Sequence, residues 1–341
     1  METVLAAKAR QSSHLLQDAS QVSAVRRAAS DMCAALDYDV HSAGEVALLV
    51  TEAATNILKH AERGEILLRT SRGGGIEIVA LDQGPGMGNF SASAADGTTT
   101  AGSYGVGLGA MQRLASLFDV YSAPGKGTAI LMVYWPRGMQ PPAPSIHCGV
   151  ACLPLQGESV CGDSWSLAWD ATTATALLAD GLGHGPDAAE ASELAAEVAM
   201  RKPELPAGAM LQDVHGALRP TRGAAVAIVS FDMLHERLLF AGIGNISAHL
   251  MHGGQHRQLV SHNGIVGNNM RKVQEFTAGW NSEATLVLHS DGLGSRWDLD
   301  DYPGLLHCHP SLLAGVLYRD FRRGSDDVSV LVLRDRQGWQ P

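Results

Sequence analysis

Asp180-Gly181-Leu182-Gly183-His184-Gly185 is the stretch that decides the fold of the second half of the chain, and it follows the strand-like run Thr175–Ala179. Acidic residues recur in the same setting, where a hydrophobic run meets a glycine or a turn. They are found in Gly162-Asp163, Ser290-Asp291-Gly292-Leu293 and Gly324-Ser325-Asp326-Asp327. Carboxylates at the ends of neighbouring strands project into one rim, which is how many folds hold divalent cations.

An Asp-Gly pair on its own is most simply a tight turn, and Asp326-Asp327 could be only a loop that enters a strand. The recurrence of such elements favours a metal site over coincidence. Two bridged Mg²⁺ or Mn²⁺ ions would bind a phosphoryl oxygen and activate water for attack on a phosphomonoester. His184 is interpreted as a loop residue, because oxygen-rich sites for hard cations seldom need imidazole.

A second group of residues in the first half indicates an ATP pocket. Glu52 and Asn56 are four residues apart on a predicted helix and therefore share one face. Asp82 ends a predicted strand before Gln83-Gly84-Pro85-Gly86, and a glycine-rich loop enters the next helix at residues 102–109. A solvated helix face and ordinary tight turns are the alternatives for each motif taken singly. The candidate ATP-binding residues are Asn56, Lys59, Asp82, Gly84, Gly86, Gly105, Gly107, Leu108, Gly109 and Thr128, with Glu52 as the candidate catalytic group.

Composition limits the class of protein. The chain has 341 residues, 45% hydrophobic and 18% charged, which suits two well-packed domains. The net charge of -10 argues against nucleic-acid binding, since no basic stripe is present. Five cysteines without a Cys-x-x-Cys pair argue against a disulfide framework or a zinc site. Without a signal peptide or a membrane-length apolar stretch, we expect a cytoplasmic protein that does not engage a membrane.

The proline-rich run at residues 136–145 marks the domain boundary, because Pro136, Pro141, Pro142 and Pro144 exclude a continuous helix or central strand. We therefore predict domains at 1–136 and 147–341, joined by a linker at 137–146. The predicted fold class is α+β. The first domain is a two-layer α/β sandwich, and the second is a β-sandwich flanked by helices. Predicted helices span Ser20–Leu36, Gly44–Ala61, Val106–Leu117, Pro186–Met200 and Pro310–Phe321.

Residues 15–136 resemble the GHKL (Bergerat-fold) ATP-binding family, and most closely its RsbT- or RsbW-type serine kinases of bacterial stress signalling. Thr51–Ala61 looks like the N-box, with Asn56 as the implied Mg²⁺ ligand. Asp82, Gly84 and Gly86 match the adenine-contacting box, and the glycines at 105, 107 and 109 match the phosphate lid. The resemblance implies ATP and Mg²⁺ as cofactors and Glu52 as the base that activates the acceptor hydroxyl.

Residues 147–335 resemble the PPM family of metal-dependent serine/threonine phosphatases, in its SpoIIE-like branch and its compact RsbX-like form. The resemblance implies two Mn²⁺ or Mg²⁺ ions. Asp180 matches the ligand that bridges both metals and is the implied catalytic residue, with Gly181 supplying a backbone oxygen. Asp163, Asp291 and Asp326 match the other acidic ligands, whereas Asp327 stands where many relatives carry Asn.

Three functions are compatible with these motifs. The first is a bifunctional switch enzyme that phosphorylates a STAS-domain anti-sigma antagonist or stressosome protein and also removes phosphate from such a protein. The second is a phosphatase whose ATP domain only senses nucleotide. The third is a protein that sequesters a sigma factor or its antagonist by binding. Transfer of label from ATP to a partner, lost in Glu52→Gln, separates the first from the second.

Overall fold

The computed structural model describes residues 2–4, 11–88, 104–141, 143–270 and 272–339. The chain forms two compact units. The amino-terminal unit comprises Gln11–Pro142 with Asp298–Arg319, and the carboxy-terminal unit comprises Met1–Arg10, Ala143–Trp297 and Asp320–Gln340. The sequence predicted two continuous domains on either side of the proline-rich linker. The compact units are discontinuous, because Asp298–Arg319 groups with the first half of the chain.

A five-stranded sheet with helices on one face forms most of the amino-terminal unit. After β1 (Glu2–Val4), which belongs to the other unit, the elements are β2 (Ser12–Leu16), α1 (Ala19–Ala35), α2 (Val40–His60), β3 (Gly64–Ser71), β4 (Gly75–Asp82), α3 (Tyr104–Leu114), β5 (Leu117–Ser122) and β6 (Thr128–Tyr134). The strand order is β2-β3-β4-β6-β5, and all neighbours are antiparallel. Val46, Leu49 and Ile57 of α2 pack in one core with Ile78 and Ile130 of the sheet. The predicted two-layer sandwich is confirmed.

Both long helices of this unit begin at an aspartate that caps the first turn. Asp18 accepts a hydrogen bond from the Ser20 amide, and Gln21 completes a capping box with the backbone of Asp18. Asp39 accepts from the Ser42 amide at 2.7 Å, so α2 begins at Val40, ahead of the predicted start at Gly44. Such caps satisfy amides that have no partner inside the helix.

The carboxy-terminal unit is a β-sandwich. Its further elements are β7 (Ile146–Leu153), β8 (Asp163–Trp169), β9 (Thr173–Gly181), α4 (Pro186–Arg201), α5 (Ala207–Leu218), β10 (Ala224–Asp232), β11 (Arg237–Ile243), β12 (Ser247–His252), β13 (Gln255–Leu259), β14 (Phe276–Gly279), β15 (Thr285–His289), α6 (Pro310–Phe321) and β16 (Val328–Asp335). One sheet has the order β1-β8-β9-β10-β11-β14 and the other β13-β12-β15-β16-β7. Side chains such as Trp165, Phe240, Leu286 and Leu331 fill the space between them.

Helices α4 and α5 cover the outer face of the six-stranded sheet. Ala195 and Ala199 of α4 pack with Leu211 and Val214 of α5 against that sheet. The sequence did not predict α5, because Gly208 and Gly216 lower its helix propensity. Its apolar residues at helical spacing, Met210, Leu211, Val214 and Leu218, were the available signal.

The part of α6 up to Arg319 packs on the second face of the amino-terminal sheet. A Cβ placed on Gly315 would lie 3.1 Å from Cδ2 of Leu81 and 3.2 Å from Cγ1 of Val79. Close helix–sheet packing therefore requires glycine or little more at this position. The residues Pro310–Tyr318 are all buried. Within the described residues, no helix is both long enough and apolar enough to cross a bilayer.

Candidate functional site

A pocket in the amino-terminal unit lies where α2, the end of β4 and the start of β6 meet. Its empty volume is about 340 Å³. It is lined by Ala53, Asn56, Ile57, His60, Ala80, Asp82, Met87, Leu108, Thr128 and Ile130. Apolar walls with a few polar groups are typical of a site that holds a flat heterocycle and fixes its orientation.

Asp82 supplies the carboxylate of this pocket. Its Oδ1 accepts hydrogen bonds from the amides of Gly84 at 2.9 Å and Thr128 at 3.1 Å. Burial raises the pKa of Asp82, an effect opposed by those two amides and by the charge of Arg319. A carboxylate fixed in this way can accept the exocyclic amine of an adenine base.

Two glycines shape the turns beside Asp82. Gly86 has φ 68°, and a Cβ there would lie 1.9 Å from the carbonyl oxygen of Ala123. Gly127 has φ 69°, and its Cβ would lie 2.0 Å from the carbonyl oxygen of Asp82. Both positions combine a left-handed backbone with close backbone contact, so only glycine fits.

Glu52 and Asn56 lie on one face of α2, next to the glycine-rich start of α3. A Cβ on Gly107 would lie 2.9 Å from Oε2 of Glu52 and 3.5 Å from Oδ1 of Asn56. The Nδ2 of Asn56 is buried without a hydrogen-bond partner among the described residues. This arrangement is suited to binding a phosphate group and its cation. It combines a carboxylate, an amide and the start of a glycine-rich helix in contact with one another.

The structure brings most of the predicted ATP-binding residues to this region. Asn56, Asp82, Leu108 and Thr128 line the pocket, while Gly84 and Gly86 form the adjoining turn. Gly105 and Gly109 lie in α3, so the phosphate-lid motif is helical from Tyr104 onward. Lys59 is exposed and does not line the pocket. The predicted loop residues Gly102 and Ser103 lie outside the described residues.

Sequence reasoning missed the apolar walls of the pocket, Ile57, Met87 and Ile130. For Ile57 the available signal was its place among the apolar residues at helical spacing on α2. His60 was also missed, and burial followed by the nearby Lys59 charge lowers its pKa.

In the carboxy-terminal unit, Asp163 and Asp180 face each other. Asp163 begins β8 and pairs in register with Asp180 near the end of β9. Burial, together with repulsion from the carboxylates of Asp163, Asp291, Asp326 and Asp327, raises the pKa of Asp180 to about 9. Burial likewise raises the pKa of Asp163 to about 7, with added repulsion from Asp327 and Asp326. The predicted acidic ligands are therefore near one another.

These residues fit a divalent cation. The Oδ2 of Asp163 is buried and has no hydrogen-bond partner among the residues that the structure describes. A bound cation would supply the charge that the acidic group lacks. Across the described residues, however, no three acidic, imidazole or thiol side chains converge closely enough to enclose an ion. A cation would have to draw these side chains together.

Two glycines bring the backbone close to the acidic group. A Cβ on Gly181 would lie 2.0 Å from the carbonyl oxygen of Ala188, and one on Gly292 would lie 1.9 Å from that of Asp327. The Asp-Gly pairs are therefore places of tight packing as well as turns. His184 is exposed, and its Nδ1 lies 2.9 Å from Oε1 of Glu158, as expected for a loop residue.

Asn245 and Asp327 hold the acidic group in place. Asn245 Nδ2 donates to Oδ2 of Asp291 at 2.8 Å. Asp327 accepts from the amides of Leu155 at 2.7 Å and Gly162 at 2.8 Å, which ties the last strand to the loop before Asp163. Asp327 therefore has a structural role that an Asn could fill only in part, because an amide has a single acceptor oxygen.

Comparison with known proteins identifies both halves. The profile of the histidine kinase-like ATPase domain matches residues 15–134, and that of stage II sporulation protein E (SpoIIE) matches residues 170–336. The serine/threonine-protein kinase RsbT of Bacillus subtilis is 32% identical over 117 residues, which cover 33% of this chain and 88% of RsbT. The phosphoserine phosphatase RsbX of the same organism is 24% identical over 143 residues, covering 41% of this chain and 71% of RsbX.

A solved structure from work on the bacterial stressosome, described as a modular system adapted to control secondary messenger signaling, is 26% identical with a TM-score of 0.52. The match covers 55% of this chain and 99% of that one. The chain thus unites a kinase-type and a phosphatase-type signalling domain. It belongs to the histidine kinase-like ATPases of the RsbT kind through its amino-terminal half and to the SpoIIE-like PPM phosphatases through its carboxy-terminal half.

Proposed function

We propose that this chain is a bifunctional switch enzyme. Its amino-terminal unit transfers phosphate from ATP to a serine or threonine of a STAS-domain anti-sigma antagonist or stressosome protein. Its carboxy-terminal unit hydrolyses phosphoserine or phosphothreonine with Mn²⁺ or Mg²⁺. The observation that carries the proposal is the presence of both acidic centres in one chain, Glu52 beside Gly107 and Asp163 opposite Asp180. The RsbT and RsbX relatives support it.

In the kinase unit, each described residue has a distinct task. Asp82 accepts the adenine amine, and Ile57, Met87 and Ile130 exclude water around the base. Asn56 would hold the Mg²⁺ that accompanies ATP, through its amide oxygen. Glu52 accepts the proton of the acceptor hydroxyl, because a carboxylate within reach of that hydroxyl can act as a general base.

In the phosphatase unit, Asp163, Asp180, Asp291, Asp326 and the Gly181 carbonyl would hold the cations. Bound divalent cations lower the pKa of water and polarise the phosphoryl oxygens. Asn245 orients Asp291, and Asp327 fixes the loop that carries Asp163.

The test is transfer of label from γ-labelled ATP to purified STAS-domain proteins from the same genome, with wild type and Asp180→Asn in parallel. We expect label to accumulate with Asp180→Asn and to be removed when wild type is added. Glu52→Gln should abolish the transfer. Asp187→Asn and Glu62→Gln, which change exposed acids, are the matched controls.

Two outcomes contradict parts of the proposal. If no partner is labelled even by Asp180→Asn, the amino-terminal unit is a nucleotide sensor and the protein is a regulated phosphatase. If label accumulates equally with wild type and Asp180→Asn, the phosphatase assignment fails. A stable complex with a sigma factor or its antagonist that persists in Glu52→Gln combined with Asp180→Asn would instead favour sequestration.

A further inference from the structure

Arg319, near the end of α6, contacts the backbone around the adenine-binding carboxylate. Its Nη1 donates to the carbonyl oxygen of Asp82 at 2.6 Å and, more weakly, to that of Thr128 at 3.5 Å. Its Nη2 donates to the carbonyl oxygen of Lys126 at 2.7 Å. One guanidinium therefore joins the end of β4 to the turn that precedes β6, and its planar fork of donors suits this geometry.

These carbonyls belong to the backbone that places the Asp82 carboxylate. Thr128 accepts weakly from Arg319 through its oxygen and donates through its amide to Asp82 Oδ1. The positive charge of Arg319 also lowers the pKa of Asp82 against the larger effect of burial. Arg319 thus acts on both the position and the ionisation of the group that would accept the adenine amine.

The rest of α6 and the residues before it keep Arg319 at this edge of the sheet. Tyr318 donates to Oε1 of Glu65 at 2.7 Å, and Ser311 donates to Oε2 of Glu77 at 3.2 Å. The amide of His309 donates to Oδ2 of Asp119 at 2.6 Å. These hydrogen bonds are distributed along α6 and the residue before it, and they reach several strands of the sheet. They therefore fix the position of the Arg319 guanidinium.

We propose that Arg319 is a positioning residue of the nucleotide site, which holds Asp82 and the turn at Lys126–Thr128 in place for the adenine base. The inference rests on the proposed function, because it assumes that this pocket binds ATP. It makes nucleotide binding depend on a residue encoded within the phosphatase half of the sequence.

The test measures binding of ADP with Mg²⁺ to the full chain by calorimetry, as a function of pH and in competition with GDP. The variants are Arg319→Met, which removes the guanidinium, and Arg319→Lys, which keeps the charge. Tyr318→Phe loosens the same helix without touching Asp82, and Arg137→Met changes an exposed arginine as the matched control. Phosphatase activity on p-nitrophenyl phosphate and thermal unfolding establish that each variant is folded.

We expect Arg319→Met to lower the affinity for ADP at least about tenfold, since hydrogen bonds from a charged group are lost. Its preference for ADP over GDP should fall as well. The base binds when Asp82 is ionised, so affinity decreases as pH falls through the pKa of Asp82. Removing the Arg319 charge raises that pKa, and the acid limb of the affinity should move to higher pH. In Arg319→Lys, which keeps the positive charge, the affinity should fall at nearly the same pH as in wild type.

Two other titratable residues belong to the elements around Asp82: His60 of α2 lines the same pocket, and Lys126 lies in the turn whose carbonyl oxygen Arg319 contacts. Both remain in every variant, so they do not account for a difference between Arg319→Met and Arg319→Lys. Tyr318→Phe should leave the pH dependence of the affinity and the preference for ADP unchanged, because it removes the hydrogen bond to Glu65 and leaves the contact of Arg319 with Asp82 in place.

Three results would overturn the inference. Unchanged ADP affinity and pH dependence in Arg319→Met would exclude any role at the site. Equal losses in Arg319→Met, Arg319→Lys and Tyr318→Phe, with no shift of the acid limb, would show that α6 is only a scaffold. Absence of ADP binding by wild type would refute the nucleotide site of the proposed function itself, whereas the first two results refute this inference alone.

Discussion

Asn245 orients a predicted metal ligand, although it carries no charge and makes no predicted contact with a cation. Its Nδ2 donates to Asp291 at 2.8 Å. A carboxylate that is oriented in advance loses less rotational freedom when it coordinates an ion. Residues that hold ligands in this way typically change metal affinity or activity by about 10–100-fold when they are removed.

We therefore predict that Asn245→Ala lowers Mn²⁺ affinity and phosphatase activity by about 10–100-fold with little change in the free energy of unfolding. The measurements are metal titration of the activity on p-nitrophenyl phosphate and urea unfolding of the metal-free protein. Asn268→Ala, at an exposed position, is the control. Activity and metal dependence equal to wild type would show that Asp291 needs no such support.

Residues of this kind mark the limit of prediction at the residue scale. Asn56, Asp82 and Asp180 could be proposed as site residues from the sequence because each lies in a local motif, at a strand end or on a helix face. Asn245 and Arg319 act on residues far away in sequence, Asp291 and Asp82, and no local pattern indicates such a contact. Lys59 was predicted to face the nucleotide, but its side chain is exposed. Helical spacing places a residue on one flank of a helix without showing what that flank faces.

At the scale of elements, the paired strands β3 and β4 carry a buried ion pair. Arg69 donates to Glu77 at 2.6 and 2.7 Å, with 8% and 3% of the two side chains exposed. Ser311 of α6 donates to the same carboxylate. Desolvation offsets much of the attraction in a buried pair, but removing one partner leaves an uncompensated charge.

Accordingly, Arg69→Met should destabilise the chain by about 3–5 kcal/mol. The double variant Arg69→Met with Glu77→Leu should recover most of that loss, because neither buried charge remains. The free energy of unfolding of the amino-terminal unit, measured by urea denaturation, tests both expectations. A double variant as unstable as Arg69→Met would show that the pair itself stabilises the sheet.

Strands β12, β13 and β15 bring histidines together. His249 Nδ1 lies 2.8 Å from Nε2 of His256, and its ring stacks on His289 with centroids 5.5 Å apart. Burial, together with the neighbouring His289 and His256, lowers the pKa of His249 to about 4. A histidine whose pKa is lower in the folded than in the unfolded chain is kept neutral by folding. Its contribution to stability is therefore present above the unfolded pKa and is lost as pH falls through the folded pKa.

We predict that the contribution of His249 to the free energy of unfolding is lost between about pH 6.5 and about pH 4, and that His249→Gln removes this component of the pH dependence. Urea denaturation at several pH values measures the slope. His307→Gln, which changes an exposed histidine, should keep the wild-type slope. If His249→Gln has the same slope as wild type, the acid sensitivity arises elsewhere.

Helix α6 shows what sequence patterns predict about an element and what they omit. Pro310–Phe321 was predicted as a helix, with the bounds that the structure gives. The packing of α6 on the amino-terminal sheet was not predicted. The spacing of apolar residues shows which side chains of a helix are buried, but not which surface covers them. The sheets were predicted as a sandwich, whereas short strands such as β13 and β14 were missed for lack of a clear alternation.

At the scale of the whole molecule, each of the two compact units contains segments from both sides of the proline-rich linker. The amino-terminal unit includes Asp298–Arg319, and the carboxy-terminal unit includes the strand β1, which pairs with β8. The sequence could indicate two domains from their motifs. Exchange of segments between them depends on long-range packing, which no change of composition along the chain reveals.

A fragment comprising residues 11–142 should therefore fold poorly. It lacks α6, so Val79, Leu81 and the Arg69–Glu77 pair would become exposed to water. We expect little protection of β3 and β4 from amide hydrogen exchange, and full protection when residues 298–321 are fused to the fragment through a flexible linker. A fusion with a scrambled 298–321 segment is the control. Native-like protection in the bare fragment would contradict the assignment of α6 to this unit.

The late position of Asp298–Arg319 also has a consequence for biosynthesis. Domains usually fold from the amino terminus as the ribosome releases them, at about 5–20 residues per second. Here the first unit cannot be completed until Arg319 has left the exit tunnel, long after Pro142 has been made. A nascent chain stalled or truncated upstream would expose the face of the sheet that carries Val79 and Leu81 to chaperones and proteases. Completion of the amino-terminal unit during synthesis is therefore tied to synthesis of the segments of the other unit that precede Asp298.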